Sequence, residues 1–215
     1  ARKFFDLPGS FVVPISTSLL PVLSGAVAAK DQRSVDHITA ISMRLTLLIS
    51  IPASVGMCIF SDPICQLLLA NKPDTAAQAA PLLAVLSLAI FLNSTLFTTN
   101  AILQSFGKPI LPVLHMAAGG VVKIALSFVL IGVPEINAMG SSVSTVCSYL
   151  LIMVLNLWSI RGLMPQMPSF LGMALPMAGS ALVMGAVSYG AYFCLTLFLS
   201  PKLAVIPAIF VAVGV

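Results

Sequence analysis

The stretch from Thr75 to Pro134 carries only two charged side chains, Lys108 and Lys123. Lys123 lies near the middle of an apolar run, residues 109–131, which at about 1.5 Å per residue is long enough to cross the ~30 Å hydrocarbon core of a bilayer. A lysine at that depth costs roughly 2.5–3.5 kcal/mol on insertion scales, so it usually faces a bundle interior or a water-filled cavity. The stretch therefore predicts a membrane protein with a hydrated interior.

The composition predicts the same class, because 59% of the chain is hydrophobic and only 7% is charged, whereas ordinary globular domains are about 25% charged. We expect an all-α, polytopic transmembrane helix bundle in which residues 1–215 form a single domain. Six complete spans are predicted at 4–29, 41–60, 77–106, 109–131, 136–158 and 173–199. A seventh begins near residue 203 and reaches the end of the sequence, so we expect this chain to be part of a longer protein.

The basic residues are scattered singly through short loops, which is not the pattern of a nucleic-acid-binding surface. Alternate loops place them on two faces of the predicted bundle. One face holds Lys30, Arg33, Arg44, Lys108 and Arg161, and the other holds Arg2, Lys3, Lys72 and Lys202. The loop 30–44 is the most basic, so the positive-inside rule assigns its face to the cytoplasm.

Prolines interrupt the predicted spans. Pro14 and Pro21 lie in the first span and Pro52 in the second. Each removes a backbone donor, and its ring clashes with the carbonyl one turn back, so we expect kinked helices. Irregular backbone at membrane depth is tolerated where protein or cavity water satisfies the freed groups. These kinks therefore indicate either a substrate path or packing alone.

The third span has a polar stripe formed by Asn93, Asn100 and Gln104, which are seven and four residues apart and so share one helical face. In the fourth span, His115, Lys123 and their neighbours at three- and four-residue steps form a second stripe. The amides either bond to neighbouring helices or line a hydrated cavity. Lys123 either binds an anionic group such as pyrophosphate or snorkels in a structural role, and His115 alone is typical of a packing histidine.

The six carboxylates lie in loops or near span ends, and no Walker A sequence or metal-spaced cluster is present. An enzyme acting on lipid-linked substrates needs paired carboxylates, metal ligands or an activated nucleophile. The sequence therefore predicts no catalytic residues, no metal site and no cofactor in this chain. In the fifth span, Gly140, Ser144 and Ser148 form a small-residue ridge that predicts close helix packing.

Several segments together resemble the multidrug/oligosaccharidyl-lipid/polysaccharide (MOP) exporter superfamily, and most closely its group of stage V sporulation protein B and MurJ-type lipid II flippases. The segments are PISTSLLPVLS at 14–24, RLTLLISIPASVG at 44–56, DPICQLLL at 62–69, LQSFGKP at 103–109 and INAMGSS at 136–142. They are loose hydrophobic motifs, so they indicate the superfamily better than the substrate.

The resemblance implies about fourteen helices in two lobes around a central cavity, with this chain as the second lobe and a missing N-terminal lobe as its partner. Such proteins reside in the bacterial cytoplasmic membrane and move undecaprenyl-pyrophosphate-linked sugars by alternating access. By this resemblance Lys123, the only cation predicted deep in the membrane because Arg44 is assigned to the end of the basic loop 30–44, would meet the pyrophosphate. Asn93, Asn100, Gln104 and His115 would line the path of the headgroup.

Three alternatives remain open at this point. A cation-coupled multidrug exporter of the same fold predicts an aromatic or acidic cavity in the missing lobe. A membrane-embedded enzyme of cell-envelope synthesis predicts carboxylates or metal ligands upstream. A purely structural scaffold needs no hydrated face.

Overall fold

A computed structural model describes residues 2–68, 73–131, 137–164 and 170–196, and all the regular structure in these ranges is helical. The helices are α1 Arg2–Ala28, α2 Gln32–Ile59, α3 Ser61–Leu68, α4 Pro73–Ser105, α5 Ile110–Ile131, α6 Asn137–Leu163 and α7 Phe170–Thr196. Helices α2, α4, α5, α6 and α7 contain stretches long and apolar enough to cross a membrane, and the apolar stretch Val12–Ala28 of α1 is shorter. The predicted all-α polytopic bundle is confirmed. The predicted seventh span, 203–215, lies outside the described residues.

Helix α2 begins nine residues earlier than the predicted start at residue 41. Asp31 caps it by accepting hydrogen bonds from the Ser34 backbone N–H at 3.2 Å and the Ser34 hydroxyl at 2.6 Å, as expected of an aspartate at this position. These bonds hold the pKa of Asp31 below its ordinary value. The predicted boundary was wrong because the polar residues after this cap were interpreted as loop. Arg44 consequently lies twelve residues inside α2, and Lys123 is not the only cation within a membrane-spanning helix.

The short helix α3 was not predicted. It is amphipathic, since Cys65 is buried in a cluster with Ala80 and Leu83 of α4, whereas Asp62 and Gln66 are exposed and bonded to each other at 2.9 Å. This helix connects the end of α2 to the chain segment that leads into α4.

Helix α4 is the centre of the bundle and packs against α1, α2, α3 and α6. The buried Thr98 hydroxyl lies 2.6 Å from the Thr46 hydroxyl of α2 and 3.4 Å from the Ser16 hydroxyl of α1. Further along, the Ser54 hydroxyl donates to the Ser87 carbonyl at 2.7 Å. These pairings make α2 antiparallel to α4, while the bonds of Ser16 and Ser105 place α1 parallel to α4.

The loops that join α1 to α2 and α4 to α5, together with the end of α6, lie at one end of the bundle. This follows from the antiparallel pairings of α2 with α4 and of α5 with α6. Lys30, Arg33, Lys108 and Arg161 therefore share one end, as predicted, and we call it the basic end. Lys72 and Lys202, which were assigned to the opposite face, lie outside the described residues.

Helix α5 packs mainly against α6, across the predicted small-residue ridge. The Ser148 hydroxyl donates to the Gly119 carbonyl at 2.8 Å, and the Ser144 and Ser127 hydroxyls are 2.8 Å apart. Gly140 approaches Leu130 closely. The packing role predicted for Gly140, Ser144 and Ser148 is confirmed. The opposite side of α5 is apolar, with Phe128 79% and Val121 68% exposed, as expected of a surface in contact with lipid.

Alanine substitution at three glycines is expected to rank these contacts. A Cβ on Gly140 would lie 2.9 Å from the Leu130 carbonyl carbon, which is backbone, so Gly140→Ala should lower the free energy of unfolding by about 1–3 kcal/mol. Gly119→Ala should also destabilise the protein, because the added Cβ meets Cγ1 and Cδ1 of Ile152, a buried β-branched side chain with little rotamer freedom in a helix. Gly120 has no atom within 4 Å of such a Cβ, so Gly120→Ala is the matched control.

The measurement is thermal unfolding of the full-length protein in detergent. Equal losses for Gly119→Ala and Gly120→Ala would contradict the close approach of α5 and α6 at Gly119.

Candidate functional site

Three helices meet at Asn156 of α6, which is fully buried. Its amide nitrogen donates to the Thr99 hydroxyl at 3.0 Å and to the Asn100 side-chain oxygen at 2.8 Å, both on α4. Its amide oxygen lies 2.7 Å from Nδ1 of His115 on α5. Asn156 therefore joins α4, α5 and α6 through hydrogen bonds that lipid cannot supply.

The network determines which nitrogen of His115 carries a proton. The Thr99 hydroxyl donates to the backbone carbonyls of Thr95 and Leu96, so it accepts from Asn156 and fixes the orientation of that amide. The amide oxygen of Asn156 then faces His115, whose Nδ1–H must be the donor. His115 Nε2 lies 3.5 Å from the Ser159 hydroxyl.

Lys123 lies beyond this network, towards the middle of α5. It is four residues from both Gly119 and Ser127, which contact α6, so the three residues share one helical face. The side chain is half-buried, and no hydrogen bond or ion pair joins its ammonium group to another residue in the described ranges. The Cα atom of Lys123 lies about 20 Å along α5 from Ile110, which is a mid-membrane depth.

Asn93 and Lys123 lie at the same depth on neighbouring helices. The Asn100 amide nitrogen contacts Met116 Sδ at 3.9 Å, which aligns the antiparallel helices α4 and α5. Asn93 and Lys123 are each seven residues, or two turns, from that contact in the same direction. By helical spacing both residues lie on the sides of α4 and α5 that carry the Asn100–Met116 contact, bordering the space between the two helices. Helices α4 and α5 touch at few points although each packs extensively against α6.

We call this space the α4–α5 groove, and its sides carry Asn93, Asn100, Met116, Gly120 and Lys123. Gly120 has open space where a side chain would be, and Asn93, Asn100 and Lys123 are half-buried. Chemically, the groove offers amide donors and acceptors beside one ammonium group. It suits an anionic or sugar-bearing group better than a cation.

The other predicted site residues are located as follows. Gln104 is exposed, one turn closer to the basic end than Asn100. Pro14 and Pro21 are exposed on α1, where the Thr17 and Ser18 hydroxyls donate to the carbonyls of residues 14 and 15 at 3.0 Å. Pro52 is half-buried inside α2. The helical assignment continues through all three prolines, and their role in a substrate path stays a prediction.

Within the described ranges, no group of three or more His, Cys, Asp or Glu residues could hold a metal ion. The polar character of the groove comes from the amides of Asn93 and Asn100 and the amine of Lys123.

The MatE family model matches residues 1–129, which is more than half of the chain. The chain belongs to the MatE family. The MatE chain is 34% identical over 200 residues to "Uncharacterized membrane protein YabM" of Bacillus subtilis (strain 168), a match covering 93% of this chain and 36% of that protein. It is 24% identical over 165 residues to "Stage V sporulation protein B" of the same organism, a match covering 77% of this chain and 31% of that protein. The resemblance to the MOP superfamily is thereby confirmed.

The MatE chain spans about a third of the length of these curated relatives. Two observations support the assignment of this chain to a membrane. One relative is named as a membrane protein, and five helices of the MatE chain are long and apolar enough to cross a bilayer.

Sequence reasoning missed the residue that organises this site of the MatE chain. Asn156 is the one amide in the apolar stretch 149–158 of α6, and an isolated amide inside a span is itself a signal that a partner exists. Thr99 and Thr98 gave no such signal, because threonine also bonds to its own helix. The prediction joined Asn100 and His115 to one site but did not identify the residue between them.

Proposed function

We propose that the whole protein is a membrane transporter that moves a lipid-linked anionic sugar across the cytoplasmic membrane by alternating access. Lipid II and undecaprenyl-pyrophosphate-linked oligosaccharides are the substrates of this class. The α4–α5 groove would form part of the cavity wall in the second of two lobes. Membership of the MatE family supports transport as the general activity.

The observation that carries the choice of substrate is Lys123. Its ammonium group has no anionic partner among the residues that the structure describes, and it lies at mid-membrane depth beside Asn93. An unpaired charge there is costly, and a substrate phosphate arriving in the groove would supply the missing partner. Asn93 and Asn100 would then offer hydrogen bonds to the sugar next to that phosphate.

A cation-coupled drug exporter is the alternative within the same superfamily. The charge of Lys123 argues against organic cations as substrates, because a like charge in a site of low dielectric repels them. The family match itself fits both kinds of transporter.

The test is transport by the full-length protein reconstituted in proteoliposomes, with lipid II and an organic cation measured side by side. We expect lipid II to reach the opposite leaflet and the cation to stay at the level of protein-free liposomes. Cation uptake without movement of lipid II would reject the proposed substrate and favour the exporter.

A further inference from the structure

A row of basic side chains follows the outward face of α2. Arg33, His37 and Arg44 lie within about 40° of one another around a helix of 3.6 residues per turn, and all three are exposed. The apolar side chains of Ile41 and Leu48, which are 42% and 56% exposed, continue the same face. We call these five residues the α2 face.

Arg44 lies inside the membrane region but close to its basic end. The contact between Thr46 and Thr98 places Arg44 at the depth of Asn100, five residues or about 8 Å from the end of α4 at Ser105. An extended arginine side chain spans a comparable distance and can carry its guanidinium group to the headgroup layer while its stem stays in the apolar region.

Helix α7 approaches α2 closely beyond the α2 face, towards the end of α2. Val55, eleven residues beyond Arg44 on the same side of α2, meets α7 at Gly185, where an added Cβ would lie 3.0 Å from Val55 and 2.5 Å from Ile59. At Arg44 and Leu48 the face is open.

The nearby carboxylates do not pair with these arginines. Asp31 is occupied by Ser34, and Asp36 accepts a hydrogen bond from the Gln32 amide at 2.9 Å. No ion pair or side-chain hydrogen bond joins Arg33 or Arg44 to another residue of the described ranges. The two guanidinium groups therefore lie beside an exposed apolar surface with no acceptor among the described residues.

We propose that the α2 face binds a resident anionic phospholipid of the leaflet at the basic end. Arg33 and Arg44 hold its phosphate, because a guanidinium group matches phosphate geometry with two parallel hydrogen bonds. One acyl chain lies along the exposed side chains of Ile41 and Leu48. Anionic headgroups are attracted to basic segments at a membrane surface, and the apolar residues select a lipid over free phosphate. This site is independent of the transport function proposed above.

The test is native mass spectrometry of the full-length protein with equal amounts of phosphatidylglycerol and phosphatidylcholine. We expect preferential retention of phosphatidylglycerol and a fall of about tenfold or more in its apparent affinity for the double variant Arg33→Gln/Arg44→Gln, since charge-assisted bonds are the strong ones. Lys108→Gln removes a charge from the same end without touching the α2 face, so it should retain the lipid. The single variant Arg44→Lys should keep part of the affinity, and it provides a readout if the double variant does not fold.

Three results would overturn the proposal. Equal retention of the two phospholipids would show no preference for an anion. Unchanged retention by Arg33→Gln/Arg44→Gln, with Arg44→Lys also unchanged, would place the lipid elsewhere. Loss of phosphatidylglycerol on adding lipid II to the unchanged protein, but not to Lys123→Ala, would assign the bound lipid to the transport path.

Discussion

Lys123→Ala is expected to lower the apparent affinity of the full-length protein for lipid II about tenfold to a hundredfold, as read from its translocation of lipid II. A hydrogen bond to a charged group is worth roughly 1.5–3 kcal/mol, and tenfold in affinity corresponds to about 1.4 kcal/mol. Lys123→Glu should abolish translocation, because a second negative charge at mid-membrane depth repels the phosphate. The measurement is the initial rate of translocation in proteoliposomes over a range of lipid II concentrations.

The controls for Lys123 separate charge from position. Lys123→Arg keeps the charge at the same depth and should retain most of the transport. Lys108→Ala removes a charge from the basic end, outside the α4–α5 groove, and should leave the rate unchanged. Equal amounts of each variant in the membrane establish insertion. Normal transport by Lys123→Ala would remove Lys123 from the site while leaving MatE family membership intact.

The spans of this chain could be predicted because few charges interrupt its apolar runs. Helices α5 and α4 agree closely with predicted spans 109–131 and 77–106, and the shared end of Lys30, Arg33, Lys108 and Arg161 follows from counting those spans. The ridge of Gly140, Ser144 and Ser148 was also predictable, since small residues at four-residue spacing favour close packing wherever a second helix is present.

The start of α2 and the existence of α3 could not be obtained from apolar length alone. Residues 32–40 are polar enough to be interpreted as a loop, and only the Asp31 cap indicates that the helix begins there. This error concealed the depth of Arg44, and with it the α2 face. Helix α3 is too short to give a span signal, and its burial depends on contacts with Ala80 and Leu83 that are distant in sequence.

The polar stripe of α4 shows what helical spacing alone cannot predict. Spacing placed Asn93, Asn100 and Gln104 on one face of α4, but the side chains differ in their surroundings: Asn100 is bonded to Asn156, whereas Gln104 is exposed. Helical periodicity gives the face of a residue, and only the packing of α5 and α6 against α4 determines which part of that face is closed by hydrogen bonds and which remains open as a groove.

Asn156→Leu is expected to lower the free energy of unfolding by about 2–4 kcal/mol. The change keeps the branched shape and the number of side-chain heavy atoms but removes three hydrogen bonds between helices, each worth about 0.6 kcal/mol on average in a membrane protein. It also leaves His115 Nδ1–H and the Asn100 oxygen without the partners they have in the structure, and a buried polar group without a partner costs roughly 1–3 kcal/mol. The measurement is unfolding of the full-length protein in mixed micelles, followed by circular dichroism.

Asn93→Leu is the matched control for Asn156→Leu, because it makes the same chemical change on α4 at a residue with no side-chain hydrogen bond in the described ranges. Its effect on unfolding should be small. His115→Leu should also destabilise the protein, but His115→Leu/Asn156→Leu should cost less than the two single changes added together, since the double variant leaves neither partner of their bond unpaired. Additive losses, or equal losses for Asn156→Leu and Asn93→Leu, would contradict a network that holds α5 and α6 against α4.

Such a network also keeps the walls of the α4–α5 groove at a fixed separation, so Asn156→Leu should weaken lipid II translocation even though Asn156 itself lies beneath the groove surface.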